Sequence, residues 1–331
     1  MAQTQYGDIS QRTAVHAMAK MLAHAEPVLV LNKFGQVKPI PKNKAQQGKF
    51  RRPVPFAVST TPLAEGVTPT AHKIAYEDVA FTLAQYGDLA ELSDVVNDLA
   101  EDPVLNDMMM LSGENAGATI EQVTYGVLKA GTNVFYANGA ARNAVNAALS
   151  LNKQRAVTRL LTKMKAKKFT RILGASVEIA TQPVEAAYVA VGHTDLSHDI
   201  RNLAGFVPVS KYAQRQPLCD QEIGTVDEVR YVLSADLAPI IDSGGAHGGT
   251  VLTTGGTSAD VYPILFFGME AYGTTPLKGS EAVVPYVHNP GKPDKADPLG
   301  QRGYVGWKGF HQAVILNQTW MCRLEVAATK L

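Results

Sequence analysis

At 331 residues, 46% of them hydrophobic, the chain has enough apolar content for one large or two modest cores. A net charge of +1 with 18% charged positions gives no global excess of the kind that marks a nucleic-acid or membrane binder. The longest apolar runs, such as "ILFF" at 264–267, are far too short to span a bilayer, and "MAQTQYGDIS" lacks the charged-then-apolar pattern of a secretory signal. Cys219 and Cys322 lie far apart and outside CxxC spacing, which fits a soluble protein of a reducing cytoplasm, without a disulfide framework or a zinc site.

The even charge balance hides blocks of one sign. Between Glu26 and Glu65 stand seven bases (Lys33, Lys38, Lys42, Lys44, Lys49, Arg51, Arg52) and no acid. From Glu65 to Asp107 there are ten acids against the single base Lys73, and between Glu121 and Glu178 ten bases, Lys129 to Arg171, and no acid. Such alternation disposes a near-neutral chain to bind copies of itself; the other reading is that each block is a solvated face.

In chain order, residues 9–25 read as a short helix stopped by Pro27, with His16 and His24 as surface or packing residues. A Lys- and Pro-rich extended stretch follows. "GKFRRPVPFAV" (48–58) is strand-like, and Pro53 and Pro55 suit an edge or an extended arm because they cannot donate ladder hydrogen bonds. "HKIAYEDVAFTLAQYG" (72–87) alternates first at Ile74 and Tyr76, then at Val79, Phe81 and Leu83, which predicts a bulge near Glu77–Asp78. Joined by "STTPLAEGVTPT", the two strands make a long hairpin. An isolated hairpin is marginal in water and needs another surface, here a neighbouring subunit.

Asp102 and Pro103 have the residue types of an N-cap and a first helical position. Leu105, Met109, Ala116, Ile120, Val123 and Val127 keep helical spacing, and Gly131 is a stop. The span of about 27 residues would run roughly 40 Å, long enough for a structural spine, although Gly113, Gly117 and Gly126 weaken it. A second amphipathic helix is expected at 152–168, with Val157, Leu160, Leu161 and Met164 as the buried stripe and Lys153, Arg155, Arg159, Lys163 and Lys167 over the rest. Beyond 187 strand-like and helical segments mix. "SGGAHGGTVLTTGGTSAD" (243–260) reads as loop, and the closing "WMCRLEVA" alternates like a half-buried strand.

Enzyme signatures are weak. Gly300, Gly303 and Gly306 make GxxGxxG, neither a dinucleotide fingerprint nor a P-loop, and lead into a strand-like segment where a phosphate loop would open a helix. Turns and close backbone approach explain these glycines better. His193, Asp195, His198 and Asp199 in "HTDLSHD" cross a strand-to-helix junction, where Thr194 or Asp195 serves as an N-cap. His247 in "GGAHGG" has no GxSxG nucleophile to partner, and Cys219 has no basic neighbour to activate it. No catalytic, cofactor-binding or metal site is predicted.

The segments "YGDISQRTA", "LNKFGQVKPIPKNK", "DPVLNDM", "LKAGTNVFYANG", "HTDLSHDIRNLAGFVPVSKYA", "EIGTVDEVRYVLS", "DVYPILFFGMEAYG" and "DPLGQRGYVGWK" with its ending resemble, in the same order, the major capsid proteins of tailed bacteriophages. The nearest branch is that of the podovirus called N-four. The resemblance implies an α+β fold of the HK-ninety-seven type, with residues 1–45 as an amino-terminal arm and 46–90 as an extended hairpin loop over an adjacent subunit. Residues 91–140 and 278–331 would form a peripheral domain with a spine helix, and 141–277 an axial domain. It implies a structural role: hexamers and pentamers of an icosahedral head around double-stranded DNA bound without sequence specificity.

Partners so implied are the chain itself, a separate scaffolding protein (no long segment precedes the arm), a portal protein and a decoration protein, with no membrane and no cofactor. No lysine–asparagine crosslinking pair is identified. Candidate contacts between subunits are Lys49, Arg51, Arg52, Glu65, Glu77, Asp78, Lys153, Arg155 and Arg159, the basic stretches 33–52 and 129–171 pairing with the acidic stretch 65–107. The alternatives are an encapsulin-like nanocompartment shell and, in a different class, a glycine-loop nucleotide-dependent enzyme.

Overall fold

The computed structural model describes residues 29–331 apart from 42, 64, 100–103, 174–180, 213–215, 279–282, 292 and 294–296. The helix expected at 9–25, with His16 and His24, and the cap at Asp102–Pro103 lie outside the described residues.

The core is a mixed eight-stranded sheet. Its centre is built from β8 (Thr181–His193), β11 (Val229–Ser234), β12 (Tyr262–Phe267) and β18 (Met321–Val326), flanked by β6 (Val134–Tyr136) on one side and by β10 (Glu222–Val226) and β9 (Val207–Pro208) on the other. β7 (Phe169–Leu173) pairs with β8. Successive residues point to opposite faces, and both faces are covered. Tyr188, Ala190, Tyr231, Ile264, Phe266 and Leu324 pack in one core with Val157 and Leu161 of a helix, Leu151–Lys163. Val189, Val191, Val232, Leu265 and Phe267 pack in the other with Leu31, Phe34, Tyr125 and Leu128.

β18 departs from expectation. Its alternation predicts a half-buried strand, yet all six residues are buried. Arg323 and Glu325 lie on the second face, where the fully buried Glu325 accepts two hydrogen bonds from Arg142 (2.8 and 2.7 Å) and stands 2.8 Å from Arg323 Nε. Mutual neutralisation lets this polar face be covered. The strand also crosses the expected domain division: although it falls in 278–331, it pairs with β12 of the large sheet.

A second sheet orders β15 (Val284–His288), β16 (Arg302–His311) and β5 (Ala84–Ser93), with ten registered pairs between β16 and β5. Following α1 (Asp94–Leu99), the long helix α2 (Val104–Lys129) crosses this sheet. Met109 meets Val305, Ala116 meets Trp307, and Trp307 Nε1 donates to Asn115 Oδ1 at 3.0 Å. Farther on, its Tyr125 and Leu128 enter the core of the large sheet. One helix of about 39 Å therefore ties the two sheets together. Gly113 and Gly117 do not break it; they lie buried on its packed face beside Ala116, where a small side chain allows close approach.

The helix α3 (Leu151–Lys163) stops five residues before the expected 168. Lys165 adopts φ +54°, Lys165 N donates to Thr162 O and Ala166 N to Leu161 O, a Schellman closure that satisfies the last carbonyls. Of the expected stripe, Val157 and Leu161 are buried while Met164 is exposed, and Gln154 is buried instead, donating to Val226 O and accepting from Tyr231 Oη.

Candidate assembly surfaces

β3 (Gln47–Pro53) and β4 (Tyr76–Thr82) pair antiparallel from Gln47↔Thr82 to Pro53↔Tyr76 in unbroken register. The expected bulge near Glu77–Asp78 is absent. The change in apolar phase arises because Ile74 precedes the ladder and Tyr76 points to the exposed side, while Val79 and Phe81 face inward. The base of the hairpin is anchored: Phe50, Phe81, Leu83 and Ile40 form a buried cluster against Leu277, Phe310 and Val314. At Leu83 the chain leaves the hairpin for β5, so residues 84–90 belong to the second sheet rather than to the loop.

The connection 54–75 is different. Val54, Phe56, Val58, Leu63, Val67 and Ile74 are all exposed, Val58 at 88%, and Phe56 stacks on His72 at 5.5 Å. Exposed apolar side chains gathered on one protrusion are the signature of a surface that another molecule covers.

Register also explains the hairpin's charges. Arg51 lies opposite Asp78 and Arg52 opposite Glu77, and each pair closes within the chain: Arg51 Nε donates to Asp78 Oδ1 at 2.7 Å and Arg52 Nε to Glu77 Oε2 at 2.8 Å. The hydrogen bond from Arg51 holds the Asp78 carboxyl below its ordinary range. Lys49 stands 3.8 Å from Asp78, and Arg155 pairs with Asp227 at 2.9 Å. Glu65, Lys153 and Arg159 have no ion pair among the described residues, and Glu65 and Arg159 are exposed.

The outer face of the second sheet carries an open groove of about 490 Å³. Leu89, Gly306 and Tyr286 lie side by side across β5, β16 and β15; Leu89 and Tyr286 are exposed, and Lys308 Nζ sits 4.8 Å over the Tyr286 ring. The glycines of the closing segment serve backbone approach, as expected. A Cβ at Gly306 would stand 2.6 Å from Asp88 O, one at Gly303 2.6 Å from Pro290 Cδ, and Gly300 turns at φ +66°.

The residues weighed for chemistry have structural partners. In "HTDLSHD" the cap is His193 rather than Thr194 or Asp195: its Nδ1 accepts from Asp195 N, while Asp195 accepts from Tyr262 Oη and Asp199 holds Thr329. His247 Nδ1 accepts from Gly249 N within its own loop. Burial pushes the Cys219 thiol up to about 11. Among the described residues no group of three or more His, Cys, Asp or Glu could hold a metal ion, and no helix is long and apolar enough to cross a membrane. The residue that sequence reasoning missed is Glu121, buried on the inner face of α2; its helical spacing from Gly117, Thr124 and Tyr125 was the available signal.

Comparison with known proteins agrees with this architecture. The family model described as phage capsid protein matches residues 76–315. The capsid of Ralstonia phage GP4 superposes with a TM-score of 0.67 at 13% identity, over 91% of this chain and 89% of that one. The capsid of cyanophage Pam1 gives 0.61 at 12% identity, over 100% and 95%, and the head of Helicobacter pylori bacteriophage KHP40 gives 0.60 at 12%, over 91% and 89%. No curated protein matches. At these identities the structures speak for the fold, α+β of the tailed-phage capsid type, and the family model for the role. The chain belongs to the phage capsid protein family, whose members form the shell of the phage head.

Proposed function

We propose that this capsid protein is the major subunit of an icosahedral head, closing into hexamers and pentamers around double-stranded DNA. Its role is structural rather than catalytic. The observation that carries the reading is the hairpin: a base locked into the body by Phe50, Phe81 and Leu83, and a connection, 54–75, whose large apolar side chains stay exposed among the described residues. In a closed ring each subunit both gives and receives such a contact, so modest contacts multiply.

In this reading residues 1–45 act as the arm, 46–83 as the loop that lies over an adjacent subunit, α2 as the spine of the peripheral domain and 141–277 as the axial domain, which β18 joins. The resemblance of "KAGTNVFYANG" and "GQRGYVGWK" to that branch supports the further reading of an N-four-like capsid protein. A scaffolding protein and a portal protein are the further partners of this reading, and assembly takes place in the host cytoplasm. Of the nine candidate contacts, Glu65, Lys153 and Arg159 offer charge to a neighbour, while Lys49, Arg51, Arg52, Glu77 and Asp78 first neutralise one another along the hairpin and Arg155 pairs with Asp227.

Electron microscopy of the purified protein tests the proposal. Closed shells or flat hexamer lattices are expected. A compact monomer at high concentration, with the connection 54–75 folded on its own body, overturns it, as does a shell filled with a cargo enzyme in place of DNA.

A further inference from the structure

Val305 and Trp307 of β16 face α2, so by alternation Tyr304, Gly306 and Lys308 face away from it. Register sets their neighbours on that outer face. Gly306 stands between Leu89 of β5 and Tyr286 of β15, and Lys308 between Gly87 and Val284. Gly87 and Gly306 are therefore diagonal neighbours, and the two absent side chains leave the groove of about 490 Å³. Leu89 leans over it, its Cδ1 2.9 Å from the place a Gly306 Cβ would take, yet remains 64% exposed.

The groove has one charge of each sign. Asp88 accepts from Leu89 N through Oδ1 at 2.9 Å, which turns its carboxylate along the sheet edge beside Leu89. Lys308 lies over the Tyr286 ring. Among the described residues neither forms an ion pair. The connection 54–75 matches this surface in kind. Val54, Phe56 and Val58 alternate in sequence, so in an extended segment they share one side, and all three are exposed. Its charges are again one acid and one base, Glu65 and Lys73, exposed and without an ion pair among the described residues. Lys73 follows His72, on which the Phe56 ring stacks.

We propose that the groove receives the connection 54–75 of a second copy of the chain, with the Phe56 ring seated against Leu89, Gly306 and Tyr286 and Lys73 drawn to Asp88. The proposal rests on the shell reading above and names the surface that reading leaves open: the sheet face opposite the long helix. Within one chain Phe56 and Leu89 both stay exposed, so ring and groove meet only between copies. Shape and charge divide the work. The glycine-floored groove takes the apolar ring, and opposite charges at its edge favour one orientation of the incoming connection over the reverse.

Two single variants of the full chain test the seat, Phe56→Cys and Leu89→Cys, one of them isotopically labelled. They are mixed with wild-type subunits under assembly conditions and mildly oxidised. A disulfide-linked dimer holding one copy of each variant is expected from the mixture and from neither variant alone. Shells that form from the mixture without that dimer overturn the seat and leave the shell reading standing; wild-type subunits that form no shell overturn the shell reading itself. Should the cysteine chains stay out of shells, charge reversal decides. Asp88→Lys should raise the protein concentration needed for assembly about two- to fivefold, Lys73→Asp likewise, and the double variant should return it close to wild type. Single variants without effect, or a double variant no better than either, overturn the pairing and with it the seat.

Discussion

Replacing Phe56 by serine separates a shell subunit from a self-contained monomer. The ring is 56% exposed, and its stacking partner His72 lies in the same connection. A phenylalanine side chain presents roughly 200 Å², so about 110 Å² remains for a neighbour to cover, and at about 25 cal/mol per Å² that is ~3 kcal/mol per contact. Full coverage would raise the concentration needed for assembly about a hundredfold, and half coverage about tenfold. The monomer should hardly notice, since an exposed substitution shifts stability by about 0.5 kcal/mol or less. The assay is paired: light scattering and electron microscopy across a dilution series, and thermal unfolding of the unassembled chain. A melting temperature lowered by several degrees with assembly unchanged would place the ring against its own body and refute the reasoning.

Gly306→Val should cost ~2 kcal/mol in a denaturant midpoint, because its first side-chain carbon would stand 2.6 Å from Asp88 O and 2.9 Å from Leu89 Cδ1 and push β16 off β5. Glu325→Gln should cost ~3 kcal/mol by urea unfolding, since it leaves Arg323, 8% exposed, and Arg142 without their shared counter-charge. Global stability should fall as pH rises from 4.5 to 7, by up to ~3 kcal/mol, because native Glu121 keeps a proton there that the unfolded chain has lost; chemical denaturation across that range checks it, and Glu121→Gln should flatten the fall. Cys219 and Cys322, with thiols pushed up to about 11 and about 12, should be alkylated at pH 8 far more slowly in the native protein than in urea.

What was legible in the sequence was local, and what was not depended on partners far along the chain. The spacing of Leu105, Met109, Ala116 and Ile120 shows α2, but helix propensity counts Gly113 and Gly117 as weaknesses, because it cannot see the sheet that α2 must approach. Alternation identifies β18 as a strand yet misjudges its burial: Arg323 and Glu325 read as a wet face until Arg142, more than 180 residues away, completes the set. The charge blocks have the right signs, but which acid meets which base is fixed by hairpin register. One residue of slip would move Arg51 away from Asp78 and turn Phe81 outward. Glu121 is the subtlest case, since its position on the buried face can be counted off, whereas the amides it holds belong to a segment some ninety residues earlier.

The hairpin and the spine are mechanically one piece. β4 passes through Leu83, only 2% exposed, into β5, and β5 is bound to β16 over ten registered positions, from Ala84↔His311 to Ser93↔Arg302. β16 in turn carries Val305 and Trp307 into α2, and α2 reaches the core of the large sheet. A load applied at the base of the hairpin is therefore shared by both sheets through packed side chains, whereas the connection 54–75 has no such packing among the described residues. In the proposed shell, a packed base with an exposed tip would suit a subunit whose neighbours meet it at more than one angle: the body would keep its shape, and the connection would absorb the difference between one ring and another.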